Sequence, residues 1–412
     1  MALGYLLSNE ELEFNPEKKA FIGELSLNGE LKKVKGILAL VKNLKNLGFE
    51  EVFVPDANKE EAALIEGIKI FPAKNLVDVI NHLKEEEDFA LGEQPLTEIV
   101  YENKKAHNDF SDIRGQDVAK LGLEIAAAGG HNIAMYGPPG TGKTMLARAF
   151  SGILPPLSKE DILEITGIHS VAGSLDGALI TDPPFRSPHN TSSYVSVIGG
   201  GTFPKPGEVT LAHKGVLFLD EFPEFDRRVI ESLRQPLEDR VVHISRAKGT
   251  AVFPTNFILI AAMNPPPDDA TASDIVRYKK KISGPIMDRI DMWVDVPKIE
   301  YDLLSQKDKK GESTEEIRRR VLKARERQIK RLKDSKARTN SEMSVRDLDK
   351  SLALSDDVKS ILNTSAEKLG LSARAYHRII KLARTIADLD EKENIEVNHI
   401  LEALQYRPKD EY

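Results

Sequence analysis

Gly137-Pro138-Pro139-Gly140-Thr141-Gly142-Lys143-Thr144 fills every fixed position of the pattern G-x-x-x-x-G-K-[ST]. The apolar run Ile133-Ala134-Met135-Tyr136 comes before it, and the helix-favouring run Met145-Leu146-Ala147-Arg148-Ala149-Phe150 comes after. That is the strand–loop–helix setting in which the pattern binds phosphate. Glycines in such a loop let successive backbone N–H groups close on phosphate oxygens, and the next helix aims its positive end at the same charge. Lys143 is expected at the β- and γ-phosphates of ATP and Thr144 on Mg²⁺. The alternative, a Gly/Pro turn that happens to precede a lysine, leaves the flanking strand and helix unexplained.

Two further runs extend the pattern. In Gly215-Val216-Leu217-Phe218-Leu219-Asp220-Glu221, a buried parallel strand releases two acids at its C-terminal end, where ligands bind in open α/β sheets. Asp220 is expected to hold Mg²⁺ and Glu221 to polarise the attacking water; a strand ending in exposed acids is the bland alternative. Phe257-Ile258-Leu259-Ile260-Ala261-Ala262-Met263-Asn264 is a second buried strand. Its terminal Asn264 is expected at the γ-phosphate or the water, or else it is a strand-end cap. In Ser283-Gly284-Pro285-Ile286-Met287-Asp288-Arg289-Ile290-Asp291, Arg289 suits an arginine finger that reaches a neighbouring subunit's γ-phosphate. A salt bridge from Arg289 to Asp288 or Asp291 competes with that reading.

Composition sets the outer bounds. The chain has 412 residues, enough for two or three domains, with 41% hydrophobic and 30% charged residues. No apolar run reaches membrane-spanning length, and the N-terminus lacks a signal-peptide pattern, so a cytoplasmic protein without a membrane partner is expected. The absence of cysteine excludes disulfides and thiolate metal sites. A net charge of −7 means that any nucleic-acid binding has to use a local basic surface.

Residues 1–88 alternate short strands (Ala20–Leu25, Val52–Val54, Ile68–Phe71) with helical patterns (Ile37–Leu47, Lys59–Ile65, Leu76–Leu83), and Asn28-Gly29 marks a tight turn. Met1 to Leu7 has the pattern of a core helix, as if the chain began partway through a domain. Gly23-Glu24-Leu25-Ser26-Leu27-Asn28-Gly29-Glu30 with Val34-Lys35-Gly36 resembles the C-terminal half of a Lon-protease-type domain. Where that resemblance requires the base lysine, this chain has Leu38, so a docking or assembly domain is expected and not a peptidase. Residues 89–109 are expected to be a linker, 110–297 the core that carries the chemistry, and 298–412 a helical segment.

In that last segment, eleven Lys or Arg lie between Arg318 and Arg338 against two acids, Glu326 and Asp334. A solvated helix or a nucleic-acid surface both account for this. Ile379, Leu382, Ala383, Ile386 and Leu389 form an apolar face at helical spacing, while Arg374, Arg378 and Lys381 share another side.

The set of motifs and its local wording resemble the magnesium-chelatase-like AAA+ ATPases of the ComM/YifB family. Supporting phrases are Phe185-Arg186-Ser187-Pro188-His189, Pro206-Gly207-Glu208-Val209-Thr210-Leu211-Ala212-His213, Arg234-Gln235-Pro236-Leu237-Glu238-Asp239 and Leu371-Ser372-Ala373-Arg374-Ala375-Tyr376-His377-Arg378. The resemblance implies an α/β fold: a P-loop NTPase core with a parallel sheet and inserted β-hairpins, a C-terminal α-helical lid and a partial Lon-like N-terminal domain. It implies a Mg²⁺-dependent ATPase assembled as a homo-hexameric ring and acting on DNA in branch migration, as a helicase of natural transformation or recombination. A chelatase-like or protein-remodelling ATPase acting on a protein partner is the alternative, and a nucleotide-gated scaffold is a third.

Residue by residue, it places Ser111-Asp112-Ile113-Arg114-Gly115-Gln116 against the adenine, although Asp112 could equally cap a helix. It makes Arg374 the sensor-2 arginine that links lid movement to the nucleotide. Gly199-Gly200-Gly201 with Pro206-Gly207, and Arg246-Ala247-Lys248-Gly249, mark two hairpins that in such rings point into the pore. Lys205, Arg246 and Lys248 could grip a phosphate backbone there, or only protect a sheet edge. The family's cysteine cluster is missing from Pro265-Pro266-Pro267-Asp268-Asp269-Ala270-Thr271-Ala272-Ser273, so no zinc is expected.

Overall fold

A computed structural model describes residues 1–84, 87–101, 108–175, 177, 179–246, 249–267, 269–299 and 311–408. The chain divides into two compact units, Met1–Glu102 with Leu157–Asp182, and Asn103–Pro156 with Pro183–Tyr412.

The first unit is built on a three-stranded parallel sheet of Lys19–Phe21, Glu51–Pro55 and Lys69–Ala73, in that order. A hairpin pairs Glu24–Leu25 with Leu31–Lys32 across a turn where Gly29 takes φ 85°, a left-handed conformation that glycine adopts at little cost. The helix Ile37–Asn46 buries Ile37, Leu38 and Val41. Leu38 is thus a packed core side chain. The helix Ala2–Ser8, expected in the core, has no buried residue, and only Leu3 and Leu6 rest partly on the cluster around Leu12 and Phe53.

Residues 157–182 interrupt the 110–297 stretch in sequence, yet they pack with this N-terminal unit. Their helix Lys159–Ala172 sets Leu163 against the cluster of Ile37, Leu38 and Val41, and Ser170 Oγ accepts from the Gly36 amide at 2.8 Å. Its apolar side matches that cluster, so burial holds the insertion there. Residues 89–101 of the expected linker also belong here: the Gln94 and Thr97 amides donate to Ile70 O (2.8 Å) and Ala63 O (3.0 Å).

The second unit holds a five-stranded sheet of β1 (Ile133–Tyr136), β2 (Phe185–Arg186), β3 (Val216–Leu219), β4 (Ile258–Met263) and β5 (Met292–Asp295) in the order β5-β1-β4-β3-β2. Every pairing is parallel, and β3 and β4 are buried along their whole length, which is why both are unbroken apolar runs. Met263 pairs with Tyr136 and Leu219 with Ala261. The C-terminal ends of β1, β3 and β4 therefore deliver the phosphate loop, Asp220 and Asn264 to one edge. Two hairpins leave this core, Gly199–Gly200 with Lys205–Pro206, and Val241–Arg246 with Gly249–Pro254.

The lid comprises the helices Thr314–Arg331, Val345–Ser351, Asp356–Leu369, Ala373–Leu389 and Val397–Gln405 among the described residues. Its Ile379, Ile386 and Ile400 share one apolar cluster with Ile133, Leu146 and Val216 of the core, so no gap in packing separates the two. Thr314–Arg331 is not a solvated helix. It buries Ile317, Val321 and Ala324, and three of its arginines are engaged internally. Arg320 forms a two-pronged bond to Glu124 (2.6 and 2.8 Å), Arg325 donates to Ala127 O (2.8 Å), and Arg331 grips Asp388 (2.6 and 2.9 Å). Asp388, 1% exposed, also accepts from Asn340 at 2.9 Å and lies 3.1 Å from Arg384.

Removing that carboxylate leaves Arg331 and Arg384 with neutral hydrogen-bond partners but no counter-charge. Asp388→Ala is expected to lower unfolding stability by about 3–5 kcal/mol. Urea unfolding followed by circular dichroism checks this, with the exposed Lys323→Ala, which breaks a bridge to Glu391, expected to leave the midpoint unmoved.

Candidate active site

The loop between β1 and the helix Lys143–Ile153 is shaped by three glycines. Gly140 (φ 78°) and Gly142 (φ 94°) are left-handed, and nothing lies within 4 Å of where a Cβ would stand on either. Gly137 has the opposite constraint: a Cβ there would lie 2.1 Å from Val296 O. Lys143 is 6% exposed, and its ammonium donates to Gly137 O (2.7 Å), Pro138 O (2.8 Å) and Asn264 Oδ1 (2.9 Å). Burial pushes this lysine below the ordinary lysine range, and the Asp220 charge opposes the shift. A desolvated cation whose hydrogen-bond partners are all neutral gains strongly from an incoming anion.

At the end of β3, beyond β4, Asp220 Oδ2 accepts from Thr144 Oγ1 at 3.0 Å, and the Glu221 amide donates to Asp220 Oδ1 at 3.0 Å. Glu221 adopts φ 51°, ψ 45°, a left-handed conformation that costs a side-chain-bearing residue about 1–3 kcal/mol and recurs at functional sites. Its carboxylate accepts from Asn190 Nδ2 at 2.8 Å. Asn190 directly follows the phrase Phe185–His189 but carries no spacing that ties it to Glu221; only the β3–β2 pairing brings that loop beside Glu221.

These residues fit ATP and Mg²⁺. Thr144 and Asp220 offer adjacent hydroxyl and carboxylate oxygens, the donor type that Mg²⁺ takes. Gln116, 9% exposed, donates to Pro297 O (2.7 Å) and Thr141 O (3.3 Å), while its Oε1 is buried without a hydrogen-bond partner, an acceptor suited to an amino group. Asp112 caps nothing here. Asp109 instead accepts from the Ser111 amide at 2.8 Å.

Arg289 and Arg374 lie together elsewhere, at a cavity of about 510 Å³ whose lining includes Glu238, Arg240, Arg378 and Lys381 and no residue of 137–144. Both guanidiniums donate to the Glu238 carboxylate, Arg289 to Oε2 and Arg374 to Oε1. Arg289 thus forms an intramolecular ion pair, but with Glu238 and not with Asp288 or Asp291. Arg374 does not meet the phosphate loop of its own chain; it shares the counter-ion of Arg289. Asn132, 4% exposed, connects this region to the sheet by donating to Arg289 O (3.2 Å) and accepting from the Leu259 amide (2.9 Å).

The two hairpins are neighbours, since a Cβ on Gly199 would meet Ile244 Cδ1 at 2.5 Å. Lys205 is exposed, Arg246 ends its strand, and Lys248 lies outside the described residues. The segment after Asn264 leads into the helix Ala272–Lys279, capped by Thr271 and Asp274. Its Tyr278 hydroxyl donates to Asn264 O at 2.5 Å.

Among known proteins, a family model described as magnesium chelatase, subunit ChlI, matches residues 109–304, and its C-terminal counterpart matches 311–407. A third, subunit ChlI of Mg-chelatase, matches residues 1–58. The competence protein ComM of Haemophilus influenzae is 39% identical over 422 residues, covering 99% of this chain and 81% of its own length. The chain belongs to the ComM/YifB family of magnesium-chelatase-like AAA+ ATPases. Another member, the uncharacterized protein YifB of Salmonella typhimurium, is 40% identical over 420 residues, covering all of this chain and 81% of its own length. The relation to Lon is partial by comparison: Lon protease 2 of Bacillus subtilis is 31% identical over 164 residues, 37% of this chain. No helix among the described residues is long and apolar enough to cross a membrane.

The close approach at Gly137 gives a direct test of the loop. Gly137→Ala forces β1 away from Val296 and is expected to cost about 1–3 kcal/mol, the usual penalty of overpacking. It is also expected to abolish the rise in thermal midpoint that ATP gives the unaltered chain, as read by scanning fluorimetry.

Proposed function

We propose that this ComM/YifB-family chain is an ATP-hydrolysing ring motor that acts on DNA. The observation that carries the reading is Lys143, buried with neutral partners beside Thr144 and Asp220, because such a cation is completed by a triphosphate. Gln116 orients the base, the loop amides of 137–144 hold the phosphates, and Asn264 reports on the γ-phosphate through its bond to Lys143. Thr144 and Asp220 would hold Mg²⁺, which would supply positive charge to the phosphate oxygens. Glu221 takes the proton of the attacking water, and Asn190 fixes the direction of that carboxylate.

Arg289 and Arg374 serve the next subunit together, so that the link between lid movement and nucleotide expected of Arg374 runs across a subunit boundary. A site completed by a neighbour implies head-to-tail contacts that close into a ring, here taken as a homo-hexamer. The paired hairpins bearing Lys205, Arg246 and Lys248 then contact a threaded DNA backbone without reading sequence. A relative whose name ties it to competence favours DNA, in recombination during natural transformation. The chelatase description of the family models favours a second reading, remodelling of a protein partner, for which the N-terminal unit is the natural docking piece.

Glu221→Gln is expected to slow turnover by about 10²- to 10⁴-fold while leaving ATP affinity intact, because general-base assistance contributes that much. Nucleotide titration beside a phosphate-release assay separates the two effects, and unchanged turnover removes Glu221 from its role.

The substrate is tested by ATPase rates with single-stranded, duplex and branched DNA against a DNA-free control. Stimulation that falls with rising salt and weakens in Lys205→Ala and Lys248→Ala is the expected result. Stimulation by a protein partner alone transfers the assignment to the second reading.

A further inference from the structure

We infer that Glu238 is a positioning residue that holds Arg289 and Arg374 as one paired cation and releases both to the triphosphate of the adjoining subunit. The inference rests on the proposed neighbour-completed site and adds to it the group that sets when that site is completed.

The two arginines come from different parts of the unit. Arg289 follows the short core helix Gly284–Met287, whereas Arg374 stands in the first turn of the lid helix Ala373–Leu389. Like charges do not gather without a counter-ion, and Glu238 supplies one oxygen to each. Burial works against its ionised form, but the hydrogen bond and charge of Arg289, followed by those of Arg374, outweigh it and hold the carboxyl below the usual range. Arg289 is further anchored by its bond to Pro285 O at 2.6 Å, and its Nε is buried without a hydrogen-bond partner.

Two positive charges against one negative leave the trio cationic. Glu238 and Arg374 are 43% and 46% exposed, and a partly exposed ion pair contributes little. A triphosphate carries more charge than one carboxylate, so it can displace Glu238 from both guanidiniums. Because one of the arginines belongs to the lid, that exchange also removes one polar tie between lid and core at the moment a neighbour binds nucleotide. Glu238 therefore acts in two directions: it competes with the neighbour's nucleotide for the arginines, and it keeps them at the spacing that turnover needs.

The unaltered 412-residue chain and the variants Glu238→Gln, Glu238→Ala, Arg289→Ala, Arg374→Ala and Glu238→Gln/Arg289→Ala test this. Assembly is followed by light scattering against a non-hydrolysable ATP analogue, with kcat and KM measured in parallel and thermal midpoints as a check on folding. Glu238→Gln is expected to lower the analogue concentration at half-assembly about 3- to 10-fold while reducing kcat by a similar factor, and to add nothing once Arg289 is gone, as coupled residues behave. Glu238→Ala is expected to act in the same direction. Equal effects of Glu238→Gln with and without Arg289, or no shift in assembly, overturn the inference. Full turnover in both Arg289→Ala and Arg374→Ala overturns the neighbour-completed site instead.

Discussion

A lysine ammonium stripped of water is the constraint on which the ATPase unit depends. Lys143 reaches Gly137 O, Pro138 O and Asn264 Oδ1 only if β1 and β4 are adjacent, parallel and in the register that pairs Tyr136 with Met263. The Gly137 amide bonds to Met263 O at 3.1 Å, which fixes that register where the loop begins. Burial of β4 on both faces, the left-handed glycines and the absence of room for a Cβ at Gly137 all serve one cation. An uncompensated buried charge is costly, and the same geometry makes phosphate the natural relief.

The opposite side of the unit is organised by anions in short supply. Glu238 serves two arginines, and Asp388 serves Arg331 and Arg384 with help from Asn340. In both places a carboxylate spans lid elements, or lid and core, so the position of the lid is encoded in charge as well as in apolar contact. Asn132 carries the connection inward, since one amide side chain touches the Arg289 backbone and the start of β4. The helix after Asn264 adds another coupling, with Tyr278 bonded to the Asn264 carbonyl.

Much of the parallel sheet was legible because its strands are buried on both faces and their apolar runs end in the residues that matter. Phosphate loop, acid pair and strand-end amide need only that local pattern, whereas Asn190 needed a tertiary contact that no spacing encodes. The pairing of Arg289 with Arg374 was hidden for the same reason: Glu238 looked like part of a family phrase and not like a shared counter-ion. The basic run from Arg318 to Arg338 suggested solvent or nucleic acid because composition counts charges but does not see their partners; Glu124, Ala127 O and Asp388 lie far away in sequence. The helix at Ala2–Ser8 was identified by its apolar content, but that content says nothing about how much surface stands ready to cover it.

The helix Lys159–Ala172 ties the timing of one unit to the synthesis of the other. Its residues emerge from a ribosome after the phosphate loop, yet the cluster of Ile37, Leu38 and Val41 waits for them. The N-terminal unit therefore cannot finish folding first, even though it comes first in the chain. Cutting between residues 102 and 109 to obtain an isolated ATPase would take the cluster of Ile37, Leu38 and Val41 away from Leu163, which makes aggregation of such a fragment the foreseeable outcome.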